Sequence, residues 1–319
     1  MVDWYHWAAF LGFLGAVLAV DLLVLHRDAH EVPFKEALTW TGVWVGLAAA
    51  FGVLLWAWRG AEPAGEYAAG YLIEWSLSVD NVFVFVLIFT HFAVPKAYQH
   101  RVLFWGVLGA IVLRLTFILG GSALLHRFQW VLYVFGGLLL ITSVRLLAER
   151  ERERSLEESM VLRVVRKVIP ITDTFEGQRL LLRRDKRLLA TPLLAVLVMI
   201  EVTDVVFAID SVPAVFSVTR DAFVAFTSNA MAILGLRSLY FVLAGAVGRF
   251  RYLKPAMAAV LAFVGGKMLS SEVFEIPVAV SLAVIAGILG IGIGASLLRP
   301  SLSVGSVGDL RSDSEAREP

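Results

Sequence analysis

The chain has 319 residues, of which 59% are hydrophobic and only 17% charged, with a formal net charge of +1 and a mean hydropathy of +0.78. A water-soluble protein of this composition would expose more apolar surface than it could keep dispersed, so the chain reads as an all-α, polytopic membrane protein. The near-neutral balance gives no reason to expect nucleic acid as a partner, and the lack of cysteine excludes disulfides, thiolate metal ligands and cysteine catalysis.

In chain order, nine apolar segments are expected to cross the bilayer as helices: 4–25, 38–58, 68–92, 102–124, 129–148, 192–216, 222–243, 254–270 and 278–298. The first lacks a basic leader and a small-residue cleavage site, and is expected to be a retained helix. Residues 1–66 then hold two peripheral helices, and 67–148 hold helices 3–5. A linker follows at 149–190. Residues 191–270 hold helices 6–8, 271–298 the ninth helix, and 299–319 a disordered tail. Within the linker, "LEESMVLRVVRKVI" (156–169) has the spacing of an amphipathic helix, and "RLLLRRDKRLLA" (179–190) reads as a short hairpin.

Positive charge sets the orientation. The linker carries eleven Lys/Arg between Arg150 and Arg187 and is placed in the cytoplasm. Alternation then leaves only Arg59, Arg127 and Arg220 in outside loops, with the N-terminus outside and the C-terminal tail inside. The six histidines fall near predicted membrane ends.

The segments repeat. "VDNVFVF" (79–85) matches "IDSVPAVF" (209–216), pairing Asp80 with Asp210 and Asn81 with Ser211. Six residues before each aspartate lies another acid, Glu74 or Asp204. "VLRLTFILGG" (112–121) matches "GLRSLYFVLAG" (235–245), pairing Arg114 with Arg237, and the segments from Arg127 and Arg249 also align. Helices 3–5 therefore resemble helices 6–8. Because three is odd, the two triplets run in opposite directions, an inverted repeat of the kind that places transporter substrates at the bilayer midplane.

Six acids fall in these segments: Asp21, Glu74, Asp80, Glu201, Asp204 and Asp210. Each costs roughly 2.5–3.5 kcal/mol at mid-helix. Four bases, Arg114, Arg145, Arg237 and Lys267, leave an anionic excess even if every pair forms. An external cation or protons are expected to neutralise the remainder. Glu74, Ser78 and Asn81 share one helical face, as do Glu201 and Asp204, and "TSN" (227–229) is a candidate pathway lining. Pro213 is expected to open the helix near 209–213, turning Asp210 inward and freeing a carbonyl oxygen. Carboxylate, amide and hydroxyl donors suit Mn²⁺, Mg²⁺ or Ca²⁺, and this chemistry does not choose among them.

The motifs "GYLIEWSLSVDNVFVFVLIF", "YQHRVLFWGVLGAIVLR", "TPLLAVLVMIEVTDVVFAIDSVPAVF" and "TSNAMAILGLRSLYFVLAG" closely resemble the TerC/Alx-type integral membrane proteins. The similarity runs from about residue 15 to 298. It implies a protein of the bacterial inner membrane associated with tellurium resistance and Mn²⁺ export. It also implies a metal site at Glu74, Asp80, Asp204 and Asp210, with Asn81 and Glu201 nearby. The expected function is a secondary transporter, not an enzyme, with Mn²⁺ as cargo, no resident cofactor, and protons as coupling ion. The alternative is a membrane scaffold of a tellurite or envelope-stress complex, acting through 149–190. The motifs of an intramembrane aspartyl protease are absent around Asp80 and Asp210.

Overall fold

A computed structural model describes residues 2–20, 32–128, 130–148, 175, 177–184, 187–244, 252–270 and 276–298. Among the described residues the chain is all-α apart from one hairpin. Its elements are α1 (Trp4–Val20), α2 (Phe34–Arg59), α3 (Ala61–His91), α4 (Lys96–Arg127), α5 (Val131–Ala148), β1 (Leu181–Arg184), β2 (Arg187–Ala190), α6 (Pro192–Phe216), α7 (Ala222–Leu234), α8 (Leu236–Ala244), α9 (Leu253–Leu269) and α10 (Val278–Leu298).

Each expected apolar segment carries a helix, but the span count differs from nine. Among the described residues, six helices are long and apolar enough to cross a membrane. They become seven if α7 and α8, which meet at a 41° bend, form one broken span. The other two, α1 and α9, each have 17 residues, and α9 carries Lys254 and Lys267. The expected amphipathic stretch 156–169 and the tail 299–319 lie outside the described residues. The hairpin is present: β1 and β2 pair antiparallel, with Leu181 opposite Ala190 and Arg184 opposite Arg187.

The local chemistry explains the breaks. α2 passes to α3 through Gly60 alone, at φ +92°, a conformation that a side chain disfavours. Proline at the first position starts α6, where its missing N–H has no helical partner to lose. Asp221 caps α7 by accepting from the backbone N–H groups of Phe223 (2.8 Å) and Val224 (3.3 Å). Pro213 does not interrupt α6, which runs unbroken to Phe216, so the expected opening at 209–213 is corrected. The proline falls in the final turn, and residues 211–216 are all buried, so packing holds the helix through one missing hydrogen bond.

α3 packs on α6, α7 and α8, and α4 packs on α6 and α7. Around them the bundle turns large apolar side chains outward, among them Val53, Leu54 and Trp56 of α2, Ile141 and Val144 of α5, and Ile291 of α10. Small residues set the closest approaches. A Cβ on Gly70 (α3) would stand 2.7 Å from Ser228 Oγ (α7), and one on Gly106 (α4) 3.1 Å from Ile200 Cγ2 (α6). α5 crosses α9 backbone to backbone: a Cβ on Gly265 would lie 2.9 Å from the Gly136 carbonyl oxygen. Ser143 Oγ donates to the Ala258 carbonyl at 2.8 Å. The indices of both contacting pairs run in opposite senses, so the two helices are antiparallel here. Gly265→Val is expected to force this crossing apart and to cost ~1–3 kcal/mol by overpacking. A thermal midpoint in detergent equal to wild type would contradict so close a crossing.

Candidate cation site

Four helices meet around Glu74. It lies mid-way along α3 and is fully buried. Arg114 of α4, 2% exposed, donates from Nη1 to Glu74 Oε2 at 2.7 Å. The same nitrogen makes a short hydrogen bond to Ser211 Oγ of α6. Asn229 of α7 donates from Nδ2 to Glu74 Oε2 at 2.8 Å. One carboxylate thus ties α3 to α4 and α7, and Arg114 carries the tie on to α6.

Asp204, one helical stretch from Ser211 on α6, is 3% exposed and within electrostatic range of Arg114, Glu201 and Glu74. Several buried oxygens here have no hydrogen-bond partner among the described residues: Glu74 Oε1, Asp204 Oδ2, Asn229 Oδ1 and the hydroxyls of Ser76 and Ser78. Asn81 is buried one turn beyond Ser78. An unpaired buried polar atom costs about 1–3 kcal/mol, so this group of oxygens is unusual in a membrane interior.

The other expected site residues lie apart from this knot or outside what is described. Glu201 is half-buried, and its carboxylate enters the notch left by the missing side chain of Gly109 on α4. Asp210 does not turn inward at an opened helix as expected. Its Oδ1 accepts from Thr142 Oγ1 of α5 at 2.9 Å, and Arg145 lies within electrostatic range. Asp80 has its backbone in α3, but its side chain, like all of Asp21, lies outside the described residues. Among the described residues no three His, Asp or Glu side chains converge as a ready-made metal site.

The bases divide unevenly. Arg114 pairs with Glu74. Lys267 donates to Ser281 Oγ at 2.8 Å. Arg237, the repeat partner of Arg114, is buried beside Leu18, Trp44, Phe104 and Val107. Asn229 was legible as a pathway candidate, but its bond to Glu74 was not. Thr142 carried no signal: a lone threonine on an apolar helix is ordinary. The glycines at 70, 106 and 109 were the available clue to which helices touch.

A bundle with an apolar exterior, spans of this length and a buried ionic knot defines an integral membrane protein. The chain belongs to the integral membrane protein TerC family, whose model matches residues 59–301. It is 53% identical over 293 residues to an uncharacterised membrane protein of Myxococcus xanthus, covering 92% of each chain. It is 45% identical to Alx of Escherichia coli (strain K12), named as a candidate membrane-bound redox modulator, over 89% of this chain and 91% of that one. A further relative, an uncharacterised membrane protein of Rickettsia bellii, is 38% identical over 93% and 98% of the two chains. No solved structure matches.

Proposed function

We propose that this protein is a secondary transporter of the bacterial inner membrane that exports a divalent cation, Mn²⁺, in exchange for protons. The observation that carries the reading is the set of buried, unpartnered oxygens around Glu74 and Asp204. Such oxygens attract a hard cation or a proton, and Arg114 balances only one of the two buried carboxylates. A divalent ion arriving there displaces any protons the carboxyls hold, which couples its movement to a proton gradient. The choice of Mn²⁺ and of the export direction follows the family resemblance. The proposed ligand set draws on Glu74, Asn81, Asp204 and Ser211, with Asp80, Glu201, Asp210 and Asp21 proposed as further stations along the path. Glu74 and Asp204 form its centre.

The helix crossings support an inverted repeat of helices 3–5 and 6–8. If Asp80 is paired with Asp210 and Arg114 with Arg237, Gly70 corresponds to Ile200, and Gly106 to Asn229. The contact of Gly70 with Ser228 is then matched, within one residue, by that of Gly106 with Ile200. If Arg127 is paired with Arg249, the Gly136–Gly265 and Ser143–Ala258 contacts exchange with one another. Two halves related in this way are suited to rocking about a central site. The name of the Alx relative adds a redox theme. With no cysteine in the chain, thiol exchange is not a route by which this protein could serve one.

The test is flux into inside-out vesicles, comparing Mn²⁺ with Mg²⁺, Ca²⁺ and Zn²⁺. Mn²⁺ is expected to accumulate, faster when the lumen is acidic, and to stop accumulating when a protonophore collapses the gradient. Uptake of all four ions no greater than in vesicles lacking the protein would refute the proposal.

A further inference from the structure

The end of the bundle where α2 meets α3 is held shut by a chain of polar contacts that the cation site does not use. Arg59, the last residue of α2, pairs with Asp221 Oδ2 at 2.6 Å. The backbone N–H of Asp221 donates to Thr219 Oγ1 at 3.1 Å. Thr219 Oγ1 in turn donates to Glu66 Oε2 of α3 at 2.6 Å. Thr219 and Asp221 lie in the turn between α6 and α7, so these contacts clip that turn onto the α2–α3 connection.

The clip lies above a thin seal. Residues four apart on a helix stack on one side, so Glu66, Gly70, Glu74 and Ser78 form a stripe along α3. Glu66 is about 12 Å from Glu74 along the axis. On that stripe only the bare backbone of Gly70 lies between them, flanked by the buried side chains of Tyr67, Ala69 and Ile73. Ser228 and Val215 press on it, with a Cβ there 2.7 Å from Ser228 Oγ and 3.7 Å from Val215 Cγ1. Val215 lies four residues before Thr219 and Ser228 seven after Asp221, so both sealing side chains hang from the clipped turn.

The opposite end is built differently. Below Ser78 and Asn81 the closure is an apolar cluster that includes Phe85, Ile88 and Phe89 of α3, Leu239 and Tyr240 of α8, and Met257 of α9. Parting that cluster exposes hydrocarbon. Parting the clip exposes a carboxylate, a hydroxyl and an ion pair, which water solvates readily, beside the buried Phe216, Val218 and Phe223.

We propose that the Arg59–Asp221–Thr219–Glu66 clip is the gate on the α2–α3 side of the cation site. Its release withdraws Val215 and Ser228 from Gly70 and opens the stripe from Glu74 to Glu66. The proposal rests on the transporter reading for its purpose, and in the orientation proposed above this side faces away from the cytoplasm.

The cysteine-free chain permits a clean test. Ser228→Cys, with Val215→Cys as a second reporter, is exposed to a membrane-impermeant thiol reagent in right-side-out and inside-out vesicles. Thr219→Val, which removes the central hydroxyl, is expected to raise the labelling rate about tenfold from the α2–α3 side, with no change from the other side. Thr219→Ser, which keeps the hydroxyl, is expected to label as slowly as wild type. Arg59→Gln breaks the other contact and is expected to act like Thr219→Val, so the test survives if one variant fails to insert. Labelling that is unchanged in both clip-breaking variants, or raised equally from both sides, would overturn the gate. Because labelling needs no cation flux, a chain that transports nothing can still pass or fail this test.

Discussion

Arg114→Gln is expected to be the most destabilising single change in the membrane interior. It leaves Glu74 fully buried with no counter-charge, and breaking a buried pair from one side costs on the order of 3–5 kcal/mol. It also strips Ser211 of its donor and removes the bridge from α3 to α6. The thermal midpoint in detergent is the measurement, and it should fall clearly. Adding Glu74→Gln to the same chain should restore much of the loss, because two neutral amides leave no stranded charge. The amide at position 74 can still accept from Asn229. A single variant as stable as wild type would mean that Glu74 does not depend on Arg114. A double variant worse than the single would mean that the pair is not the relevant unit.

Asp204→Asn is expected to separate function from folding. Asp204 makes no ion pair at bonding distance among the described residues, and its Oδ2 is buried without a partner. Removing its charge relieves a burial cost, so insertion and thermal stability should hold or improve. Cation flux should nevertheless fall on the order of 100-fold. Changing even a residue behind a metal ligand costs roughly 10–100-fold in affinity, and here the change removes half of the proposed central carboxylate pair. Equal Mn²⁺ flux in the variant and wild type, measured in the same vesicles at matched protein, would remove Asp204 from the site.

The two variants probe different levels of what the sequence made legible. The apolar segments were readable because a bilayer imposes a length and excludes charge. The helices overran the expected ends where polar residues continue the winding outside the hydrocarbon. α3 begins at Ala61 and takes in Glu62 and Glu66, and α4 begins at Lys96 ahead of Gln99 and Arg101. A hydropathy window stops at such residues, but backbone hydrogen bonding does not. The need for a buried base was likewise legible, but not its choice of acid. Arg114 meets Glu74 of α3, and Arg237 lies where α1, α2 and α4 come together, beside Leu18, Trp44 and Phe104. That asymmetry is decided by where helices cross, which depends on contacts far apart in the chain. Pro213 misled for the complementary reason: a local rule predicts a break, and burial of the surrounding turn overrides it.

The crossing of α5 and α9 bears on how the halves of this bundle can move. Gly136 and Gly265 bring the two main chains close, with Leu139, Leu140 and Leu269 packed against the crossing, and a serine hydroxyl pins the same pair of helices further along. So close an approach of two main chains leaves little room for their spacing to change while the helices tilt. On the transporter reading proposed above, the crossing would serve as a fulcrum: a swing at one end of the bundle would be answered by an opposite swing at the other, and the two ends would not gape together.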